Sequence, residues 1–448
     1  MTLAILFFSL FTMQNQTSFS FIKENINTVL MEMTEDFGHE FDEPIESDIT
    51  FVKDLGFTSI DFVQLAVAVE QKFNTKIGFQ GLFMQNGKYV EDITLGELIH
   101  YTHSKLNTIA DTEKDTQPVA KAPQKNAQTF VHDKDKVTEQ DFEIFKAMLY
   151  PRRRSVDRDG SKNPPIAFIL SPPRSGSTLL RVMLAGNPSL FSPPELHLLP
   201  YDKMDERKDA LQKKDNEHLL EGTVHALMQL RGIDADTARQ YIVGCEQESM
   251  PTKTFYHRLQ NELKNKLLID KTPTYAMHEN LLQYAETNFE TPFYIHLLRH
   301  PCGMIRSYEE SKLSRLMPFM KDSAFSSRKL AEMTWLLSNK NTLSFSQKIP
   351  KERWITVHYE DILLSPQAEI QRLCDFLKVD FHPDMVNPYK DTEQRMTSGV
   401  DTPSRMSGDL KFHLHKEIDP DSATRWQQFY SEDILGVITS ELASNLGY

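Results

Sequence analysis

Residue types that bind anions at close quarters stand together at Pro173-Arg174-Ser175-Gly176-Ser177-Thr178. Ahead of them Pro165 to Leu170 read as an apolar strand, Ser171 to Gly176 as a tight loop, and Ser177 to Arg181 as the opening of a helix. In that order Gly176 permits close backbone approach, successive N–H groups point into the loop, and the helix N-terminus adds partial positive charge. Ser177 and Thr178 offer hydroxyl donors and Arg174 a formal charge, so the chemistry is the holding of phosphate. The nucleotide-hydrolysing version is argued against, because Gly-x-x-x-x-Gly-Lys-[Ser/Thr] is absent and the usual Lys and Mg²⁺ arrangement is missing with it. A purely structural turn stays open, since Pro and Gly also build ordinary loops.

Five further positions carry groups suited to acid, base, charge and hydrogen-bonding work. Glu195 lies in Ser192-Pro193-Pro194-Glu195-Leu196-His197, where two prolines stiffen the backbone presenting it, and His197 follows two residues on. Lys271 follows Leu268-Ile269-Asp270 at the end of a strand, the place where a parallel sheet presents ligand groups. Arg299 ends the run from Tyr294 to Leu298, and Ser307 stands one helical segment later. Each has an ordinary alternative when taken alone: a surface salt bridge for Arg299, a solvated position for Ser307 and Lys271, an exposed loop carboxylate for Glu195, a packed imidazole for His197. A separate candidate is Ser59, which follows a Gly-containing loop in Asp54-Leu55-Gly56-Phe57-Thr58-Ser59 and opens a helix. Its hydroxyl is reachable there by another enzyme, or it merely caps the helix.

The elements that must position these groups divide the chain. At 448 residues it is too long for one average domain. Residues 1–20 read as an apolar tail, too short and without the basic flank of a targeting segment, and no membrane span is expected. Residues 21–106 carry apolar spacing of a small all-α bundle: Phe21 to Met33, Ser59 to Phe73, and a third helix opened by the capping-box pattern Thr94-Leu95-Gly96-Glu97. Between 107 and 137 the periodicity gives way to Thr, Asp, Lys, Gln, Ala and Pro, a flexible linker whose span is about 30 Å and whose tethering effect is roughly millimolar. From 138 to 448 short apolar runs (Ile166 to Leu170, Leu267 to Ile269, Phe293 to Leu298, Trp354 to Val357) alternate with helical stretches, the pattern of an α/β unit with a central parallel sheet.

Net charge is -13, and fifteen Asp and Glu against six Lys place most of it before residue 107. Nucleic acid is therefore not an expected partner. Three cysteines without paired spacing suggest neither disulfides nor a zinc site, and no metal is expected; a reducing cytoplasm fits. Arg152-Arg153-Arg154 reads as a solvated run that could also receive the acidic unit, and Trp335 as a helical core residue.

Two resemblances sharpen this reading. The stretch around Ser59 resembles the attachment site of acyl and peptidyl carrier proteins, which implies 4'-phosphopantetheine on Ser59, a phosphopantetheinyl transferase as partner, and acyl substrates delivered by neighbouring biosynthetic enzymes. Pro-x-Arg-Ser-Gly-Ser-Thr-Leu-Leu resembles the 5'-phosphosulfate loop of sulfotransferases, from about Pro164 to Trp426, which implies a P-loop-like fold and the donor PAPS (3'-phosphoadenosine 5'-phosphosulfate). The resemblance implies that Arg174, Ser175, Gly176, Ser177 and Thr178 hold the 5' end and that Arg299 and Ser307 grip the 3'-phosphate. It also implies Lys411, in Ser407-Gly408-Asp409-Leu410-Lys411, in the segment closing over that phosphate. Glu195 is the first choice for the base and His197 the second, with Lys271 on the leaving phosphate. The fusion resembles carrier–sulfotransferase pairs of modular polyketide lines, implying sulfation of a β-hydroxyl on a tethered acyl chain. The rival expectations are a sulfotransferase acting on a free lipid, sugar or small metabolite, with the carrier used for recruitment, and a non-enzymatic carrier and scaffold.

Overall fold

The computed structural model describes residues 18–35, 46–55, 57, 59–73, 75, 77–85, 88–89, 92–112, 136–149, 160–212, 217–311, 323, 325–390, 395 and 417–448. The chain divides into two units, Met1–Gln124 and Lys125–Tyr448.

In the first unit, apolar residues three or four apart make one buried stripe per helix. Ile22, Ile26 and Leu30 line α1 (Phe19–Glu35), Leu65 and Val69 line α2 (Ser59–Lys72), and Leu95 and Leu98 start α3 (Leu95–Thr112). The capping box at α3 forms as expected: Thr94 N–H donates to Glu97 Oε2 at 2.7 Å and Glu97 N–H to Thr94 Oγ1 at 3.2 Å. α3 runs to Thr112, past Leu106. The turn before α2 is pinned by carboxylates. Asp54 accepts from Thr50 N–H and Oγ1, both at 2.8 Å, and Asp92 accepts from Val52 N–H at 2.8 Å. Phe57 is buried against Phe51 and Phe62, which fixes where α2, and with it Ser59, begins. A two-residue hairpin, Met84–Gln85 with Lys88–Tyr89, adds to the helices; it is too short to leave an alternation in the sequence.

The second unit is built on a parallel sheet of β1 (Ile166–Leu170), β2 (Leu190–Phe191), β3 (Leu267–Lys271), β4 (Phe293–Leu298) and β5 (Trp354–His358), in the order β2-β3-β1-β4-β5. β1 is buried along its whole length, as a central parallel strand covered on both faces must be. Ile166, Phe168 and Leu170 pack on one face with Leu268, Tyr256 and Tyr275. Ala167 and Ile169 pack on the other with Ile269, Ile295 and Leu180, the last from α4 (Ser177–Ala185). The chain adds strands to one side of β1 and then to the other, so a crevice opens at the carboxyl ends of β1 and β4, where such sheets take ligands. α5 (Pro301–Glu310) and α6 (Ser327–Ser346) pack together beside it through Ile305, Tyr308, Trp335 and Leu336. β2 was not among the expected strands, since two residues carry no period. Among the described residues no helix is long and apolar enough to cross a membrane.

Candidate functional site

The loop between β1 and α4 contains two left-handed residues. Gly176, at φ 83°, is the residue before α4, and a Cβ there would stand 2.1 Å from Cδ2 of Tyr359. Only glycine admits both the backbone and the ring. Arg174 also has positive φ, 64°, which a non-glycine residue keeps only when its surroundings hold it. Gly176 brings no side-chain acceptor to the first turn of α4, so the turn's N–H groups are left to a ligand or to water. Ser171 and Ser175 are buried, and their hydroxyls have no hydrogen-bond partner among the described residues. Buried hydroxyls rarely go without one. Orphaned hydroxyls, a helix N-terminus and a left-handed glycine fit an anionic group such as the phosphosulfate end of PAPS. The sulfotransferase family uses PAPS as donor.

Side chains from far along the chain complete the loop. Arg174 Nε donates to Ser307 Oγ at 3.2 Å, and Arg299 Nη1 donates to the Arg174 carbonyl at 2.7 Å. Arg174 thus forms one cluster with Arg299 and Ser307, which stand more than a hundred residues later in the sequence. Arg299 lies over the Tyr359 ring, 4.5 Å from guanidinium carbon to centroid. Its carbonyl accepts from Trp335 Nε1 at 2.9 Å, and the next N–H, of His300, donates to Glu360 Oε1 at 2.9 Å. Trp335 is fully buried and supports Arg299 from the core.

Glu195, His197 and Lys271 meet at the carboxyl end of β3. Lys271 Nζ donates to Glu195 Oε1, and His197 Nε2 lies 3.2 Å from Glu195 Oε2, off the line of a hydrogen bond. Lys271 retains 1% of its side-chain exposure and Glu195 17%. Burial pushes the Glu195 carboxyl up, but Lys271 and His197 outweigh it and hold it far below the usual carboxylate range. Burial pulls the Lys271 ammonium below the usual lysine value, against the attraction of Glu195.

Arg181, one turn into α4, is buried and ties this cluster to the loop. Its Nη1 donates to the carbonyls of Ser192 and Arg395 at 2.9 and 3.1 Å. Burial lowers its pKa to about 10 while Glu195 opposes, so it stays charged at neutral pH.

Of the expected site residues, Arg174, Ser175, Gly176, Ser177, Thr178, Arg299 and Ser307 gather around the loop, and Glu195, His197 and Lys271 around the end of β3. Ser59 is the first residue of α2. Lys411 and Arg152 to Arg154 lie outside the described residues. Sequence reasoning missed Arg181, Tyr359 and Asp270. Arg181 carried a signal, a charge on the apolar face of a helix that also holds Leu180, Met183 and Leu184. Among the described residues no group of three or more His, Cys, Asp or Glu is arranged to hold a metal ion.

Comparison with known proteins adds to this geometry. The "Sulfotransferase family" pattern matches residues 165–383, and the "Phosphopantetheine attachment site" pattern matches residues 29–95. The sulfotransferase domain of the Synechococcus olefin synthase is 36% identical, with 66% of this chain and 99% of that one covered and a TM-score of 0.59. The sulfotransferase domain from the curacin biosynthetic pathway is 39% identical, with 64% and 99% covered and a TM-score of 0.60. Nodulation protein NoeE of Sinorhizobium fredii is 26% identical over 319 residues, 65% of this chain and 68% of that protein.

Proposed function

This chain belongs to the sulfotransferase family and carries a phosphopantetheine attachment domain ahead of its catalytic unit, and we propose that it sulfates the β-hydroxyl of an acyl chain held on a phosphopantetheine arm at Ser59. The donor supplies an activated sulfuryl group. The α4 N-terminus, Arg174 and the hydroxyls of Ser175, Ser177 and Thr178 hold its 5' end, while Arg299 and Ser307 hold the 3'-phosphate. Glu195 takes the acceptor hydroxyl's proton as that oxygen bonds to sulfur. The bond from sulfur to the bridging oxygen breaks, and Lys271 meets the charge left on the departing phosphate. Atoms and charge balance with no further reactant: the products are the sulfate ester, 3'-phosphoadenosine 5'-phosphate (PAP) and a proton on Glu195.

The observation that carries the reading is the Lys271–Glu195 pair beside the loop. A carboxylate and an ammonium meet at the carboxyl end of β3, and Arg181 of α4 donates to the carbonyl of Ser192, three residues before Glu195, which supports their roles as base and as cation for the leaving group. The acyl acceptor is supported by the fused attachment domain and by the olefin synthase and curacin pathway domains, which this chain matches across nearly their full length.

The test is intact-protein mass spectrometry of the full chain, converted to the holo form, loaded with a 3-hydroxyacyl group and incubated with PAPS. A gain of one sulfo group on the arm is expected, and its absence refutes the acyl acceptor. Arg174→Ala is expected to abolish transfer. Ser59→Ala is expected to spare transfer to a free 3-hydroxyacyl pantetheine, and loss of that activity too would point to a different division of labour.

A further inference from the structure

Asp270 is buried at 1% exposure on the face of β3 opposite Lys271, and the proposed chemistry makes no use of it. Three hydroxyls converge on its carboxylate. Tyr256 and Tyr275 donate to Oδ2, the latter at 3.2 Å, and Thr272 donates to Oδ1 at 3.1 Å. A hydroxyl has one proton, and giving it to a carboxylate leaves its lone pairs to accept. Tyr275 accepts from the N–H groups of Leu198 and Leu199 at 3.0 and 3.3 Å, and Thr272 accepts from the N–H of His197 at 3.4 Å. Three consecutive amides, starting two residues after Glu195, are therefore tied through two hydroxyls to one carboxylate.

The same segment is held from its other side. Arg207, fully buried, donates Nε to the Leu196 carbonyl at 3.1 Å. Gly222 packs so close that a Cβ there would stand 1.9 Å from the Glu195 carbonyl oxygen. His197 has φ 49°, a left-handed conformation that is kept only where the surroundings impose it. A turn strained at that residue and fixed at each neighbouring amide presents the Glu195 carboxylate in one place.

We propose that Asp270 is a positioning residue. By orienting the hydroxyls of Tyr275 and Thr272 it fixes the backbone from His197 to Leu199 and so sets where the Glu195 carboxylate stands to take the acceptor's proton. The inference rests on the reading of Glu195 as the base. It requires an acceptor at Asp270, because an amide of the same size offers its NH₂ to the hydroxyls, turns at least one of them round, and leaves backbone N–H groups without a partner.

The experiment uses the full chain with Asp270→Asn, Tyr275→Phe, Glu195→Gln and the Asp270→Asn/Glu195→Gln pair. It follows kcat and KM with PAPS and a 3-hydroxyacyl pantetheine, PAP affinity by calorimetry, and hydrogen exchange along the backbone. Asp270→Asn is expected to lower kcat about 100-fold, the effect of a roughly 1 Å misplacement, with PAP affinity unchanged. Tyr275→Phe keeps the ring in the core and is expected to give the same pattern, with faster exchange confined to residues 196–200. The double variant is expected to be no slower than Glu195→Gln. Retention of kcat by Asp270→Asn and Tyr275→Phe, alongside a disabled Glu195→Gln, overturns the positioning role and leaves the base reading standing. PAP affinity that falls together with kcat reduces Asp270 to a structural residue and also overturns the proposal. Full kcat in Glu195→Gln overturns the base reading, and the inference with it.

Discussion

Replacing Lys271 with methionine tests the central pair, because it removes the ammonium while keeping most of the buried stem. Glu195 then loses its partner in a site where it is 17% exposed. Breaking a buried ion pair from one side costs about 3–5 kcal/mol. The lower end applies here, since Glu195 keeps some contact with water and His197 Nε2 remains 3.2 Å away. A cost of about 3 kcal/mol at about 2 °C per kcal/mol gives a fall in Tm of about 6 °C for a unit of this size. The pH dependence has a definite sign. In the wild type the folded-state pKa of Glu195 is depressed, so its stabilisation is present above the ordinary glutamate value and is lost only as pH falls through the depressed value. In Lys271→Met the largest influence opposing burial is gone, the carboxyl rises, and protonation relieves the buried charge on acidification. The Tm difference between the two proteins is therefore expected to be widest near pH 7.5 and to shrink toward pH 4.5, as differential scanning calorimetry would record. Loss of the cation proposed to meet the leaving phosphate is expected to lower kcat about 100- to 1,000-fold. A Tm difference that is absent, or equal at both pH values, refutes the electrostatic account of the pair.

Arg299→Ala removes the hydrogen bond to the Arg174 carbonyl and the cover of Tyr359. PAP is expected to bind about 10- to 100-fold more weakly by calorimetry, AMP much less so, and equal weakening of both would remove Arg299 from the 3'-phosphate. Gly176→Ala costs about 1–2 kcal/mol in left-handed backbone alone and also puts a Cβ 2.1 Å from Cδ2 of Tyr359, so the ring must move. A lower Tm and a smaller rise in Tm on adding PAP are expected, and unchanged protection by PAP would show that the loop does not need that glycine. Thr94→Ala removes one half of the α3 capping box, and hydrogen exchange in the full chain is expected to report about 1 kcal/mol less protection across α3.

Most of the fold was legible because its elements are long or strongly apolar. β1, α2 and the α3 capping box fall where the patterns of Ile166 to Leu170, Ser59 to Phe73 and Thr94 to Glu97 place them. The two-residue strand β2 and the Met84–Gln85 hairpin were not legible, because an alternation needs more residues than either has. At the site, residues within one motif were readable, since a strand, a glycine and a helix start are consecutive in sequence. Asp270 was not. Strand alternation puts it on the face opposite Lys271, but only the structure shows that Tyr256 and Tyr275 meet on its carboxylate there.

The sequence also named Glu195 and Lys271 separately, one as base and one as cation for the leaving group, without placing them in contact. Their pairing changes the chemistry each can do. A carboxylate held far below its ordinary pKa by an adjacent ammonium is a poor base, and an ammonium spent on that carboxylate is a poor partner for a leaving phosphate. In the proposed mechanism the two roles become available together only when growing negative charge on the leaving phosphate competes with Glu195 for Lys271. Charge departing at one end of the reaction then strengthens the base at the other. In the proposed mechanism the pair therefore couples proton removal to bond cleavage, with the Glu195 carboxylate opposing the burial that lowers the Lys271 pKa.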